Sequence, residues 1–283
     1  MTRILSGMPI QAKIEKELSG RVQKLDRKPT LAIISVDPRP ESLLYIEKKK
    51  DFGERIGCRV EHLSLDPQLS LGVMKERIGD RNADPNTDGV IIQLPIRSRL
   101  HTSDLLDSVD ASKDVDGLSS YNVAALVRGE ERFIPAATRA VFELLSQYEI
   151  PIEGKHVTVV GDSLLVGRPT AFSFLNRRAT VTICHRGTID LADRVRFADI
   201  VISATGSSGL ITADMVRAQQ TVIDVGTAVE ESGGAAKGDV DFENVAPLVE
   251  AITPVPGGVG PLTVASLFLN LIEAAEQRGG KEN

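Results

Sequence analysis

Short, unbroken apolar runs recur along this chain, each rich in β-branched residues and each separated from the next by helix-like sequence. TLAIISV (30–36), GVIIQLP (89–95), HVTVVG (156–161), ADIVISATG (198–206) and TVIDVG (221–226) are the clearest. A strand that is apolar at every position, not at every second one, is buried on both faces. Such strands alternating with helices form parallel sheets covered by helices, so the pattern predicts an α/β protein.

The intervening segments agree. Ile10, Ile14, Leu18, Val22 and Leu25 mark one face of a first helix, and residues 42–56 read as a second. CRVEHLSL (58–65) reads as an alternating strand. A second series begins near residue 150, after EIPIEGK (149–155). It comprises HVTVVG, a helix from about Gly167, ATVTICH (179–185), ADIVISATG, TVIDVG and EAITPV (250–255). Strands in that succession describe a doubly wound, Rossmann-like nucleotide-binding sheet. The last helix, predicted over 262–277, is too apolar to stand alone and is expected to dock back on the first domain. Its tail, RGGKEN, is expected to fray. At 283 residues the chain exceeds one typical domain. The expected division is 1–140 plus 262–283 as one domain and 141–261 as the other, with a cleft between them.

Composition excludes several classes. Hydrophobic residues are 42% and charged residues 25%, a globular balance that argues against disorder. Lys plus Arg is 33 against 39 Asp plus Glu, a net charge of −6 without a basic block, which argues against a nucleic-acid or anionic-membrane partner. No apolar run approaches the ~18 residues that span a bilayer, and the charged N-terminus predicts no signal peptide. Cys58 and Cys184 are not a disulfide framework, so the expected compartment is the cytoplasm. His62, His101, His156 and His185 lack ligand spacing, so no metal site is expected.

Three clusters have chemistry to offer. Tyr45 and Lys49 lie one helical turn apart, and Phe52 and Ile56 extend that stripe. Lys49 is then either a surface lysine with its stem along apolar surface, or a partly desolvated, tunable amine beside a ring that stacks on a flat substrate. Gln93 follows a buried strand, where α/β sheets bind ligands. Asp114 and Asp116 precede Gly117; they are a pair of turn caps, or one of them is a carboxylate that grips a heterocycle. VVGDSLLVGRP (159–169) joins a strand to a helix and carries Gly161 and Gly167, though not a full three-glycine fingerprint. After the next strand come His185 and Arg186, where an acidic ribose ligand would stand. A guanidinium there favours a 2′-phosphate. TPVPGGVGPLT (253–263) fixes an irregular path at the same kind of edge.

Together YIEKK, DGVIIQLP, KDVDGLSSYN, VVGDSLLVGRP, CHRGT, ADIVISATG, VIDVG, GDV and ITPVPGGVGPLT resemble, in order and over nearly the whole chain, the bifunctional methylenetetrahydrofolate dehydrogenase/methenyltetrahydrofolate cyclohydrolase family. The resemblance implies oxidation of 5,10-methylenetetrahydrofolate with NADP, or alternatively NAD, then hydrolysis to 10-formyltetrahydrofolate by a homodimer. It implies Lys49 as the catalytic lysine, Tyr45 as the ring against the folate, Gln93 as the group orienting Lys49, and Asp116 on the pterin edge. Ile92, Leu94, Pro256, Gly257, Gly258, Val259 and Gly260 complete the implied substrate site. Gly161, Asp162, Ser163, Arg186, Ala204, Thr205, Gly226 and Thr227 match cofactor positions. Two departures bear on the dehydrogenase. FIPAATRA replaces the family's Pro-Cys-Thr-Pro-x-Gly, so Ala137 lacks a hydroxyl that Thr138 would have to supply. Asp162 stands where some relatives carry Arg, and would oppose a 2′-phosphate. The readings left open are a cyclohydrolase with weak or NAD-linked dehydrogenase activity, and a non-catalytic folate- or nucleotide-binding paralogue.

Overall fold

The computed structural model describes residues 2–96, 102–226 and 237–279. The chain begins with β1 (Arg3–Ile4), α1 (Met8–Val22), β2 (Thr30–Val36), α2 (Pro40–Ile56), β3 (Arg59–Leu65), α3 (Leu71–Ala83) and β4 (Gly89–Ile92). Three helices follow: α4 (Thr102–Leu106), α5 (Ser120–Val127) and α6 (Ala136–Gln147). The second series is β5 (His156–Val160), α7 (Gly167–Asn176), β6 (Thr180–Cys184), α8 (Leu191–Phe197), β7 (Ile200–Ser203) and β8 (Thr221–Asp224). It closes with α9 (Phe242–Val245), β9 (Ala251–Ile252) and α10 (Val259–Gly279).

Two compact units result, Ala12–Ala136 with Val264–Asn283, and Met1–Gln11 with Ala137–Thr263. The chain passes between them near residues 136 and 263. The first eleven residues depart from expectation because Arg3 and Ile4 pair in parallel with Ala251 and Ile252. Backbone pairing, invisible in a two-residue strand's sequence, carries them into the second sheet.

The unit of residues 12–136 and 264–283 holds a parallel sheet in the order β3-β2-β4. β2 is central and buried throughout, as its sequence requires. β3 does not alternate cleanly; only Leu65 is fully buried, because β3 is an edge with a single neighbour. Ala32, Ile34, Val36, Met74, Ile78, Val90 and Ile92 form a core on one side. α1 buries Ile10, Ile14, Leu18 and Val22, and ends before half-buried Leu25. α10 docks in this unit, as its apolar surface demanded. Phe268 stacks at 5.2 Å from Phe52. Gly53 admits the contact, since a Cβ there would lie 2.5 Å from Val60 and 3.0 Å from Phe268. α10 is longer than expected. At 21 residues and mean hydropathy 1.2 it has the length and composition of a membrane span, yet Phe268, Leu271 and Ile272 are fully buried. Its end is not frayed at Arg278, which donates to the carbonyls of Thr87 (2.7 Å) and Ser112 (3.2 Å); residues 280–283 lie outside the described residues.

The other unit is a six-stranded parallel sheet ordered β1-β9-β8-β7-β5-β6. The order reverses between β5 and β7, and at such a switch point the loops leaving the carboxyl ends diverge and open a crevice. Val160, Val201, Val222, Val245 and Ile252 are among its core.

Phe268→Ala removes a ring from a packed interior and is expected to destabilise the unit of residues 12–136 and 264–283 by about 3–5 kcal/mol. Urea unfolding followed by circular dichroism measures it; an unchanged midpoint would mean that α10 does not hold this unit together.

Candidate active site

α2 begins at Pro40, whose fixed φ suits a first turn, and ends at Gly57 (φ 88°), whose amide and that of Cys58 close the last carbonyls. Phe52 and Ile56 anchor its inner face. One and two turns earlier on that stripe stand Lys49, half-buried, and Tyr45, 42% exposed. Lys48 lies 5.2 Å over the Tyr45 ring, and Lys50 pairs with Glu47 at 2.8 Å.

β4 delivers Gln93. Its amide donates to the Ile34 carbonyl at 2.7 Å, extending the β2–β4 pairing by one residue. The side chain is buried and fully directed. Nε2 donates to the Leu94 carbonyl at 2.9 Å, which leaves Oε1 to accept from Lys49 Nζ at 2.7 Å. Burial lowers the Lys49 pKa, and the Asp116 carboxylate partly opposes that shift. The amine therefore has a hydrogen-bond partner that adds no charge and a carboxylate that acts through space.

The two aspartates divide the alternatives between them. Asp114 is a turn cap: Oδ2 accepts from the Ser119 amide (2.8 Å) and Asn122 Nδ2 (2.9 Å), and Oδ1 from the Leu118 amide (3.3 Å). Asp116 instead accepts from the amide of Ala136, at the start of α6. Burial raises its pKa; Lys49 and the Ala136 amide lower it, and Asp114 raises it. Burial thus pushes both members of the Lys49–Asp116 pair toward their neutral forms. The segment carrying Asp116 is held from both sides. Asn270 of α10 donates to the carbonyls of Val115 (2.8 Å) and Ile134 (2.9 Å). At Gly117 (φ 67°) a Cβ would fall 2.5 Å from the Phe133 carbonyl.

The second constellation lies at the β5/β7 switch point. Gly161 (φ 113°) leaves no room for a Cβ, which would sit 2.4 Å from the Ala204 carbonyl. At Gly167 a Cβ would fall 2.0 Å from the Gly161 carbonyl. These contacts fold the backbone tightly before α7. The Ser163 hydroxyl accepts from the amides of Val166 (3.2 Å) and Gly167 (3.3 Å). Gly206 (φ 70°) faces open space. A close-folded glycine turn leading into a helix, beside an exposed glycine loop, fits a dinucleotide's phosphates. Arg186 is exposed in the turn after β6. Asp162 does not stand alone: Arg168 bonds its carbonyl at 2.9 Å and its carboxylate at 3.4 Å.

The expected residues thus fall into separate groups. Tyr45, Lys49, Gln93 and Asp116 belong to one unit, with Ile92 in its core and Leu94 half-buried beside Gln93. Gly161, Asp162, Ser163, Arg186, Ala204, Thr205 and Gly226 belong to the other; Thr227 lies outside the described residues. Pro256, Gly257 and Gly258 form a turn in that second unit, where Gly7 donates to the Gly257 carbonyl at 2.8 Å. Val259 is buried and Gly260 exposed in the first turn of α10. FIPAATRA is mostly helix, and the Thr138 hydroxyl is taken, buried at 2.9 Å from Thr170. Sequence reasoning missed Arg168 and Asn270. Both are ordinary helical polar residues whose partners lie far away or across a turn. Among the described residues no cluster of three or more His, Cys, Asp or Glu could hold a metal.

Comparison with known proteins identifies two family models along the chain. The model of the tetrahydrofolate dehydrogenase/cyclohydrolase catalytic domain matches residues 5–116, and that of the NAD(P)-binding domain residues 135–279. The bifunctional protein FolD of a Nitratiruptor species is 40% identical over 280 residues, covering 98% of this chain and 99% of its own. The crystal structure of the bifunctional enzyme FolD, methylenetetrahydrofolate dehydrogenase/cyclohydrolase, from Campylobacter jejuni superposes with a TM-score of 0.95 at 38% identity, covering 98% and 100%. The Trypanosoma brucei methylenetetrahydrofolate dehydrogenase-cyclohydrolase, solved with NADP cofactor and inhibitor, gives 0.92 at 31% identity, with 98% of each chain covered.

Proposed function

The chain belongs to the tetrahydrofolate dehydrogenase/cyclohydrolase family, and on that premise we infer that it oxidises 5,10-methylenetetrahydrofolate with NADP and hydrolyses the 5,10-methenyl product to 10-formyltetrahydrofolate. The observation that carries this reading is the Lys49 amine, desolvated, aimed by Gln93 and set near Asp116. A protein that only binds folate has no use for such a lysine.

Bound NADP supplies the hydride acceptor. The methenyl product is an amidinium cation. Water adds to its bridging carbon, and Lys49 in its neutral form takes the proton that water loses. The C–N5 bond then breaks as N5 gains a proton and the carbinol oxygen loses one, leaving the formyl group on N10. Asp116 grips the pterin edge, Tyr45 stacks on the aromatic part of the substrate, and Gln93 holds the amine without adding charge that would raise its pKa. Ile92 and Leu94 line the folate site in this reading.

NADP is the coenzyme proposed. Arg186 offers an exposed fork to a 2′-phosphate. The Asp162 carboxylate, which would oppose that phosphate, has Arg168 as its counter-ion. One observation favours a weaker dehydrogenase: Ala137 has no hydroxyl, and that of Thr138 is bound to Thr170. We place the enzyme in the cytoplasm, on its two free, buried cysteines, and propose a homodimer. Strand β6 is a sheet edge whose outer side has no partner among the described residues, and Ile183 on it is 39% exposed.

Lys49→Met keeps the stem and is expected to abolish methenyl hydrolysis in a folded protein. In the wild type, hydrolysis is expected to rise with pH as the amine loses its proton, with a midpoint below the usual lysine range. Gln93→Glu puts a charge beside the amine and should move that midpoint upward. Asp116→Ala should raise the folate KM about tenfold or more, the loss of one charge-assisted contact. Absorbance of the methenyl compound follows all three, and a Lys49→Met protein as fast as wild type would end the lysine's role.

Coenzyme choice is read from kcat/KM with NADP and NAD. Arg186→Ala is expected to shift preference toward NAD. Arg168→Gln, which uncovers the Asp162 charge, should lower NADP use more than NAD use. Hydrolysis with only slow reduction of NADP, or with reduction of NAD alone, would select the reading of a cyclohydrolase with weak or NAD-linked dehydrogenase activity. Sedimentation equilibrium is expected to give twice the chain mass, and Ile183→Lys to give monomer; a monomeric wild type excludes the dimer.

A further inference from the structure

Two buried carboxylates in the nucleotide-binding unit have no part in the chemistry above. Asp224 ends β8, and Asp239 precedes the short bridge between Val240 and Ile211. Asp224 is 3% exposed and Asp239 wholly buried. Burying acids away from solvent is costly unless their oxygens are engaged, so their partners are informative.

Those partners are the backbone of the loops at the sheet's carboxyl edge. Asp239 Oδ2 accepts from the Ser203 hydroxyl at 2.9 Å and from the Thr205 amide at 2.6 Å. It thus holds the end of β7 and the first residues after it. Asp224 Oδ1 accepts from the Gly226 amide at 2.9 Å, and Oδ2 from the Val240 amide at 2.9 Å. Asp224 is itself fixed, its amide donating to Thr253 Oγ1 at 2.7 Å. Ser203 and Asp224 are register partners across β7 and β8, so both carboxylates serve one point of the sheet.

Two glycines make the arrangement possible. A Cβ on Gly226 would lie 2.1 Å from the Asp239 carboxyl carbon, and one on Gly238 would lie 2.0 Å from Asp224 Oδ2. Each aspartate therefore packs against the glycine beside the other. Among the described residues Asp239 Oδ1 is buried without a hydrogen-bond partner. Burial, together with the Asp239 charge, pushes the Asp224 carboxyl up to about 6. An acid kept in so unfavourable a setting is placed there for its geometry.

We propose that Asp239, braced by Asp224 across the Gly226 and Gly238 contacts, is a positioning residue for dinucleotide binding: its carboxylate fixes Ala204–Thr205 after β7 against Gly226 after β8. The proposal rests on the reading of this unit as the cofactor domain. It adds that the two loops are set by one buried carboxylate and not by the dinucleotide itself.

The experiment measures NADPH binding by the rise of its own fluorescence, which a chain without tryptophan leaves clear of indole emission. It also measures KM and kcat for NADP, and methenyl hydrolysis, which consumes no coenzyme. Asp239→Ala is expected to weaken NADPH binding about tenfold and to raise the NADP KM alike, the scale of losing charge-assisted hydrogen bonds. Its kcat at saturating NADP and its hydrolysis should stay near wild type. Asp239→Asn keeps an oxygen for Ser203 and Thr205 and should restore most of the binding. Ser203→Ala removes one donor to Asp239 at a residue outside the expected cofactor positions; it should give a smaller loss of the same selective kind, and decides the matter if Asp239→Ala does not fold. NADPH binding unchanged in folded Asp239→Ala would overturn the proposal. So would equal losses of binding and hydrolysis in Asp239→Ala and Asp239→Asn, the mark of a merely structural acid. Wild-type protein that hydrolyses the methenyl compound but binds no dinucleotide would instead overturn the dehydrogenase reading.

Discussion

Holding the Lys49 amine out of water makes its proton less welcome, and much of the unit around it serves to hold it there with one neutral partner. The amine reaches its place because Phe52 and Ile56 fix the inner face of α2, and Phe52 is held in turn by Phe268 of α10. The partner reaches its place because β4 pairs with β2 and carries the register one residue further, to Gln93. A carboxylate at position 93 would bind the amine more strongly and keep it protonated. An amide aims it and leaves its proton affinity to burial and to the more distant Asp116. The packing of an apolar helix and the acid–base property of one amine are thus linked by a short chain of contacts.

Both sheets deliver polar groups by the same device. Gln93 follows β4 by one residue, Gly161 follows β5 by one, Ala204 follows β7 by one, and Gly226 follows β8 by two. Parallel strands end with their last carbonyls and the next loop's amides at one edge, and helices cover the faces. Chemistry placed there costs little core. What it demands is close approach between loops, hence the glycines at 161, 167 and 226, where a methyl group would collide with backbone or carboxylate.

The buried strands were legible because their apolar runs are continuous, and the α2 stripe because its spacing is helical. The separation of Asp114 from Asp116 was not. Two aspartates around one valine look alike in sequence, and only the positions of Leu118, Ser119 and Asn122 make one of them a cap. β1 was missed because two residues carry no periodicity; its identity comes from β9. Asn270 was missed because a polar residue within an apolar helix looks like a flaw until the carbonyls of Val115 and Ile134, more than 130 positions away, are found beside it. What the sequence withheld were contacts between distant segments; what it disclosed were local patterns of burial.

Asp162 carries the same lesson in a shorter loop. Taken alone it is a negative charge where a phosphate is expected, and that charge counts against NADP. The glycine turn, however, reverses the chain within six residues and brings Arg168 back onto both the carbonyl and the carboxylate of Asp162. Both side chains are about half exposed, so solvent screens the pair and its contribution to stability is small. Its effect on an incoming anion is another matter. The carboxylate then offers a compensated dipole at short range, while Arg186 stands exposed in the turn after β6. Charge in a binding loop has to be counted after the turn has closed, because the turn determines which charges remain for the ligand.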